Sequence, residues 1–414
     1  MFLNWFSDED RERYQTSAHK LTIDHIGSSL VNLRYADEVI RQHLHEWLRF
    51  CVYLEETGIS PLPAANSDLV QNYVAKRIAG LSASRARFIR ASVRIFFEAD
   101  ENGKFRRRIN SPPSTPIWFG QILTQYLQFV RVHRGLSEKT ERKYRQKLSA
   151  FAHYLEGCGI GQLDAITPHH IREFYENTGG VPRRSYGSTL RAFFSWAAAQ
   201  GWLSKTLGDA IPRPRQYRHI GLPDVLNQSD MERLLAAVDR STPLGRRDYA
   251  ILLLAARYGL RPSDIRQLTL DDIDWRGVRI DLRQVKTGRP LALPLLPEVA
   301  HALSAYLRDG RPDSTNRVIF LRHCAPFEPF ANENNLNAIM RKALRLAGLH
   351  DRSGRRGLYL LRHTLATQLL ASGRPLKTIS DLLGHASTQT TYVYTKVDLV
   401  GLRAVAISEE EVNQ

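Results

Sequence analysis

Residues 382–396 read LLGHASTQTTYVYTK, which sets Tyr392 and Tyr394 one residue apart and close behind His385. Two aromatics after a helix read first as packing, because lone aromatic rings usually bury area. Upstream, however, basic residues stand where secondary structure is expected to end. Arg261 follows the Tyr-Gly-Leu that closes an apolar helix, and Lys286 sits at a hairpin tip. Arg362 begins or precedes the helix containing HTLATQLL, and His385 follows Gly384 at the end of the next helix. Side chains held at the ends of rigid elements can converge on one anion. A phosphodiester is such an anion, and a guanidinium matches its oxygens bidentately. Taken singly, each of these residues reads first as surface charge.

The elements that must position them are legible. LNQSDMERLLAAV offers Ser229 and Glu232 as a capping box before an apolar run. DYAILLLAARYGL (248–260) is apolar on nearly every side and predicts a central helix. VRIDL (278–282), a turn at Lys286-Thr287-Gly288 and the alternating LALPL (291–295) predict a hairpin or short meander. Beyond it the pattern is helical. Leu376, Ile379, Leu382 and Leu383 mark one helix face after a Gly373/Pro375 break.

The 414 residues exceed one typical core and predict two or three domains. The 58 Lys and Arg outnumber the 42 Asp and Glu, giving +16 and favouring a polyanionic partner. A membrane partner is disfavoured, since the longest apolar run, Ala250 to Ala256, is far below the ~20 residues a span needs. MFLNWFSDEDRER turns acidic where a secretory leader would be basic and then apolar. Cys51, Cys158 and Cys324 are scattered and odd in number, which suits a reducing, cytoplasmic setting and neither a disulfide framework nor a zinc site.

Two proline-rich basic seams, 103–118 and 211–223, predict three domains: 1–103, 117–210 and 224–407. The first two read as small helical bundles, with Ser137 capping one helix and Thr167-Pro168 opening another. They also read as copies of one another. WLRFCVYLEETGI (47–59) aligns without gaps on LSAFAHYLEGCGI (148–160), and VRIFF (93–97) echoes LRAFF (190–194). Chance matching of two amphipathic helices explains the pairing about as well.

GLRPSDIRQLTLDDID, KTGRPLALPL, LLRHTLATQLLASG and LLGHASTQTTYVYTKV follow one another over about 140 residues, and in that order they resemble the catalytic domain of the tyrosine recombinase (phage integrase) family. The resemblance is close over 225–400, looser over 117–210, and reaches 1–103 only through the suspected repeat. It implies a mainly α fold with a small β-sheet or hairpin: helical core-binding domains followed by a mixed α/β catalytic domain.

The same resemblance implies roles. Arg261 and Arg362 would clamp the scissile phosphate, and Lys286 would protonate the leaving 5′ oxygen. His385 would hydrogen-bond the phosphate. Tyr394, nine residues beyond it, would be the nucleophile that forms a 3′-phosphotyrosyl bond, with Tyr392 left to packing. Cationic side chains then stand where nucleases use metal ions, so neither a cofactor nor a metal is expected. The implied partner is double-stranded DNA, bound by a homo-tetramer on two sites or by a hetero-oligomer with related recombinases. The enzyme would serve integration or transposition of a mobile element. The alternative is an impaired relative acting as a DNA-binding regulator or accessory subunit, for which the helix-turn-helix look of Gly373-Arg-Pro375 speaks.

One position departs from the family pattern. Where histidine or lysine is usual, three residues before the second arginine, this chain has Tyr359, which brings one donor and no charge. Asp264, three residues after Arg261, either orients that arginine or caps the following turn. VDLVGLRAVAI (397–407) is expected to form a helix exchanged between subunits or packed on its own domain.

Overall fold

The protein is described from a computed structural model over residues 2–58, 68–98, 115–177, 183–203, 205–211, 224–332, 334, 336–350, 354 and 357–384. It divides into two compact units. One combines Met1–Phe105 with His219–Gln414, and the other is Arg106–Arg218.

The chain opens with α1 (Asp8–Thr16), α2 (Lys20–Asn32), α3 (Asp37–Glu56), α4 (Asp68–Ile78) and α5 (Ala83–Glu98). Ser7 caps α1 by accepting from the Asp10 amide, and Asp8, Glu9 and Asp10 complement the positive end of the helix. In α3 the buried Leu44, Trp47, Phe50, Cys51 and Leu54 form the stripe that packs on α2 and α5. Gly27 on α2 admits the Phe2 ring, because a Cβ there would lie 2.6 Å from the ring edge.

The second unit contains α6 (Ile117–Arg134), α7 (Glu138–Gly157), α8 (Pro168–Asn177) and α9 (Arg183–Ala199). Like α3, α7 is 20 residues long. Leu148, Phe151, Ala152 and Leu155 are buried in it as Trp47, Phe50, Cys51 and Leu54 are in α3. Val70 and Tyr73 of α4 correspond in spacing and burial to Ile171 and Phe174 of α8, and Val93 and Phe96 of α5 to Leu190 and Phe193 of α9. The pairings correspond too: α2 packs on α3, α3 on α5 and α4 on α5, as α6 does on α7, α7 on α9 and α8 on α9. Pro168 opens α8 as expected. Ser137 precedes α7, but its hydroxyl pairs with Thr140 Oγ1 at 3.0 Å and makes no cap to the backbone.

The last part of the chain holds α10 (Gln228–Ala236), α11 (Pro243–Tyr258), α12 (Pro262–Gln267), β1 (Ile273–Asp274), β2 (Arg279–Arg283), β3 (Pro290–Pro294), α13 (Pro297–Asp309), α14 (Asn337–Leu346), α15 (Tyr359–Ala371) and α16 (Leu376–Leu383). The cap of α10 is Asn227, whose side chain accepts from the Asp230 amide at 2.7 Å; Ser229 lies inside the helix and forms no capping box. The apolar α11 is the hub, packed by α10, α12, α13, α14 and α15. The sheet is antiparallel in the order β1-β2-β3, with Ile280 opposite Leu293 and Leu282 opposite Leu291. Ile280, Leu282 and Leu293 turn into the core while their neighbours face out, as the two-residue period of a strand requires. Among the described residues the fold is thus mainly α with one small sheet.

Candidate active site

α11 starts on Thr242, whose hydroxyl accepts from the Gly245 amide, and on Pro243 in its first turn. It ends at Gly259, in the left-handed conformation with φ +61°. A Cβ at Gly259 would stand 2.6 Å from Leu383 Cδ2 and 3.4 Å from Arg362 Cγ. Helices α11, α15 and α16 therefore meet at a point that both backbone handedness and lack of space reserve for glycine.

Arg261 follows two residues later at the extended N-cap position of α12, where Pro262 excludes the helical conformation. It is only 7% exposed. Its Nη2 donates to the Gly384 carbonyl at 3.1 Å, and its Nη1 lies 3.7 Å from the Asp264 carboxylate. Asp264 is fully buried and accepts the Val285 amide through Oδ1 at 2.9 Å. It therefore reaches from beside the arginine to the turn between β2 and β3.

Arg362 is 4% exposed and lies inside the first turn of α15, so the helix begins slightly earlier than expected. Its Nη1 donates to the Gly259 carbonyl at 2.5 Å and its Nη2 to the Leu383 carbonyl at 2.8 Å. Both arginines thus hold carbonyls at the C-terminal end of α16, groups that have no partner inside the helix and carry its negative pole. Gly384 ends α16 with φ +59°, and a Cβ there would fall 1.9 Å from the end of the Gln284 side-chain amide.

Gln284 was not singled out in the sequence. It is buried at the end of β2, and with its amide oriented to satisfy both ends, its oxygen accepts from Arg261 Nη1 at 3.1 Å. Its nitrogen then donates to the Gly384 carbonyl at 3.0 Å and to Thr287 Oγ1 at 2.8 Å. The available signal was its parity: it continues the inward-facing series Ile280, Leu282 with a polar residue.

Lys286 lies in the turn, one residue beyond the amide that Asp264 holds, and its side chain is exposed with no ion pair among the described residues. Tyr359, the first residue of α15, is 45% exposed and makes no hydrogen bond among the described residues. His385, Tyr392, Tyr394 and the segment 397–407 lie outside the described residues. Among the described residues no group of histidine, cysteine, aspartate or glutamate has the geometry to hold a metal ion, and no helix is long and apolar enough to cross a membrane.

The result is a buried pair of guanidiniums from separate parts of the chain, converging on the two residues before His385. Such a pair presents donors in fixed forks suited to a tetrahedral oxyanion.

Comparison with known proteins points the same way. The model described as "Phage integrase family" matches residues 224–399, and "Phage integrase, N-terminal SAM-like domain" matches 123–201. A putative integrase/recombinase, y4rA, of Sinorhizobium fredii is 36% identical over 291 residues, covering 69% of this chain and 70% of that protein. Tyrosine recombinase XerD of Listeria monocytogenes is 30% identical over 297 residues, covering 69% of this chain and 96% of its own. The fold is similar to that of XerH site-specific recombinase in a post-cleavage complex with palindromic difH substrate, with a TM-score of 0.55 at 20% identity over 81% of this chain and 93% of that one. It is also similar to lambda integrase in a tetramer bound to a Holliday junction, with a TM-score of 0.50 at 21% identity over 75% and 90% of the two chains.

Proposed function

The chain belongs to the phage integrase family, as a tyrosine recombinase that cuts and rejoins DNA strands, and from that premise we propose which of its residues carry each step. Arg261 and Arg362 clamp the non-bridging oxygens of the scissile phosphate and stabilise the charge that builds on them in the transition state. Tyr394 Oη attacks phosphorus as the bond to the 5′ oxygen breaks. The leaving oxygen takes a proton from the Lys286 ammonium, while His385 hydrogen-bonds the phosphate and assists transfer of the phenol proton. The 3′-phosphotyrosine keeps the energy of the broken ester, so the 5′ hydroxyl of a second strand can reverse the step and seal a new junction. A free phenol has a pKa of ~10 and is a poor nucleophile near neutrality, so the surrounding cations must favour its phenolate.

What supports this assignment is one observation: Arg261 and Arg362, 101 positions apart, both hold the end of α16 immediately before His385. Asp264 and Gln284 act as positioning residues for Arg261 and for the turn that bears Lys286. Tyr359 stands one helical turn before Arg362 and offers a single hydroxyl donor where the family commonly has an imidazole or an ammonium.

In this reading 224–407 is the catalytic domain and 117–210 the core-binding domain that closes on double-stranded DNA. The protein acts in the cytoplasm as a tetramer on two sites, in the service of a mobile element. The solved relatives described above, one on difH substrate and one as a tetramer on a Holliday junction, support that partner and assembly.

The test uses a nicked duplex carrying a site selected from a random pool by the full chain. The wild-type protein is expected to become covalently joined to it, the Tyr394→Phe variant to bind it without an adduct, and Tyr392→Phe to behave as wild type. Adducts in Tyr394→Phe but not in Tyr392→Phe would move the nucleophile by two residues.

A further inference from the structure

The helical bundle of residues 2–98 lies outside both family matches, and its charge is unevenly spread. Residues 8–56, spanning α1 to α3, carry ten acidic and six basic residues, whereas α4 and α5 carry six basic residues against Asp68 and Glu98 alone. Arg77 on α4 is committed inward, to the buried Glu46. On α5 the situation is different. Ala86, Ile89, Val93 and Phe96 are buried, which leaves Arg87, Arg90 and Arg94 exposed at spacings of three and four. That spacing aligns them on one face over about 10 Å. Among the described residues no carboxylate pairs with Arg87 or Arg90.

We propose that this face of α5 is a further DNA-binding surface, on which Arg87 and Arg90 lie against the phosphate backbone of the duplex outside the stretch held by the catalytic and core-binding domains. The proposal rests on the recombinase reading, which supplies the DNA. A duplex presents about one charge per 1.7 Å of axis, so a 10 Å row of guanidiniums faces about six phosphate charges. Arg87 and Arg90, with no carboxylate paired to either among the described residues, suit that density, and the acidic α1–α3 portion keeps the rest of the bundle from binding indiscriminately. The contact reads no sequence. It adds affinity and length to the footprint.

The experiment measures binding of the full chain to a random-sequence duplex by fluorescence anisotropy between 50 and 200 mM salt. Each phosphate contact contributes about −0.9 to the slope of log K against log salt. Arg87→Gln with Arg90→Gln is expected to make the slope shallower by about 2, and Arg87→Lys with Arg90→Lys to restore it. Arg94 is left in place. An unchanged slope in the glutamine variant, with its helix content intact, overturns the proposal and leaves an acidic protein segment as the occupant of this face. The recombinase reading is tested separately, by adduct formation at Tyr394 in the same variant at saturating protein. A wild-type slope near zero overturns both.

Discussion

The two helical bundles share a scheme and differ in the polar or aromatic group they place at two corresponding positions. In the first, Glu46 on α3 is fully buried, accepting from Tyr73 Oη at 3.0 Å and lying 3.2 Å from Arg77 Nε. At the corresponding place on α7 stands Lys147, which donates to the Ser185 carbonyl at 2.9 Å and to Thr189 Oγ1 at 3.3 Å. One turn earlier, His43 of α3 corresponds to Tyr144 of α7. His43 bonds Ser92 Oγ at 2.9 Å and stacks on Trp47, whereas Tyr144 stacks on Tyr126. An apolar stripe of the same spacing builds both bundles, so the stripe sets the helical scheme. The polar group beside that stripe only has to find partners, and its sign is free to change.

The contrast can be broken from either side. Glu46→Ala is expected to have the largest effect, because it strands the buried Tyr73 hydroxyl and takes from the partly exposed Arg77 the buried carboxylate it bonds. Removing one partner of a buried pair costs about 3–5 kcal/mol. Hydrogen exchange should show α3 and α4 opening while α7 and α8 keep their protection; equal loss in both bundles would mean that they do not fold separately.

Acid comes next. Burial lowers the His43 pKa from 6.5 to about 4. The unfolded chain therefore takes up the proton first, so stability is complete above pH 6.5 and falls as pH drops toward 4, by roughly 3 kcal/mol in all. Exchange rates corrected for intrinsic pH dependence should show this loss in α3 and α5, and His43→Gln should remove it.

The smallest change is expected for Lys147→Met. Burial lowers the Lys147 pKa, the nearby Lys143 adds to the shift, and Thr189 Oγ1 already donates to the Ser185 carbonyl. Loss of the ammonium should cost on the order of 1 kcal/mol. A loss as large as that of Glu46→Ala would show that the lysine anchors its bundle as firmly as the glutamate does.

Part of this architecture is legible in the sequence alone. The stripe of α3 and α7, the apolar α11 and the hairpin around Lys286 are local patterns, and local patterns survive in a string of letters. The choice of Asn227 over Ser229 as a cap was not legible, since both fit the chemistry and only the path of the chain decides. The two-residue β1 was too short to leave a period. In the site, Arg261 and Arg362 were found by their motifs, but their meeting at Leu383 and Gly384 depends on how α11, α15 and α16 cross. Gln284 escaped because a glutamine at a strand end looks like surface until the parity of β2 is followed inward. Asp264 had two readings in sequence, and in the structure it both lies beside Arg261 and accepts the Val285 amide.

The end of α16 has one further consequence. The guanidiniums assigned to the phosphate also grip the carbonyls of residues 383 and 384, and Gly384 is wedged against Gln284 with no room for a methyl group. The point from which the chain leaves toward Tyr394 is therefore moored to the two arginines proposed to hold the phosphate. A pull on the departing segment strains a hydrogen bond from each arginine, each worth about 1.5–3 kcal/mol when the donor is charged. A partner that took hold of the chain beyond residue 384 would therefore load Arg261 and Arg362 through the end of α16, without touching DNA.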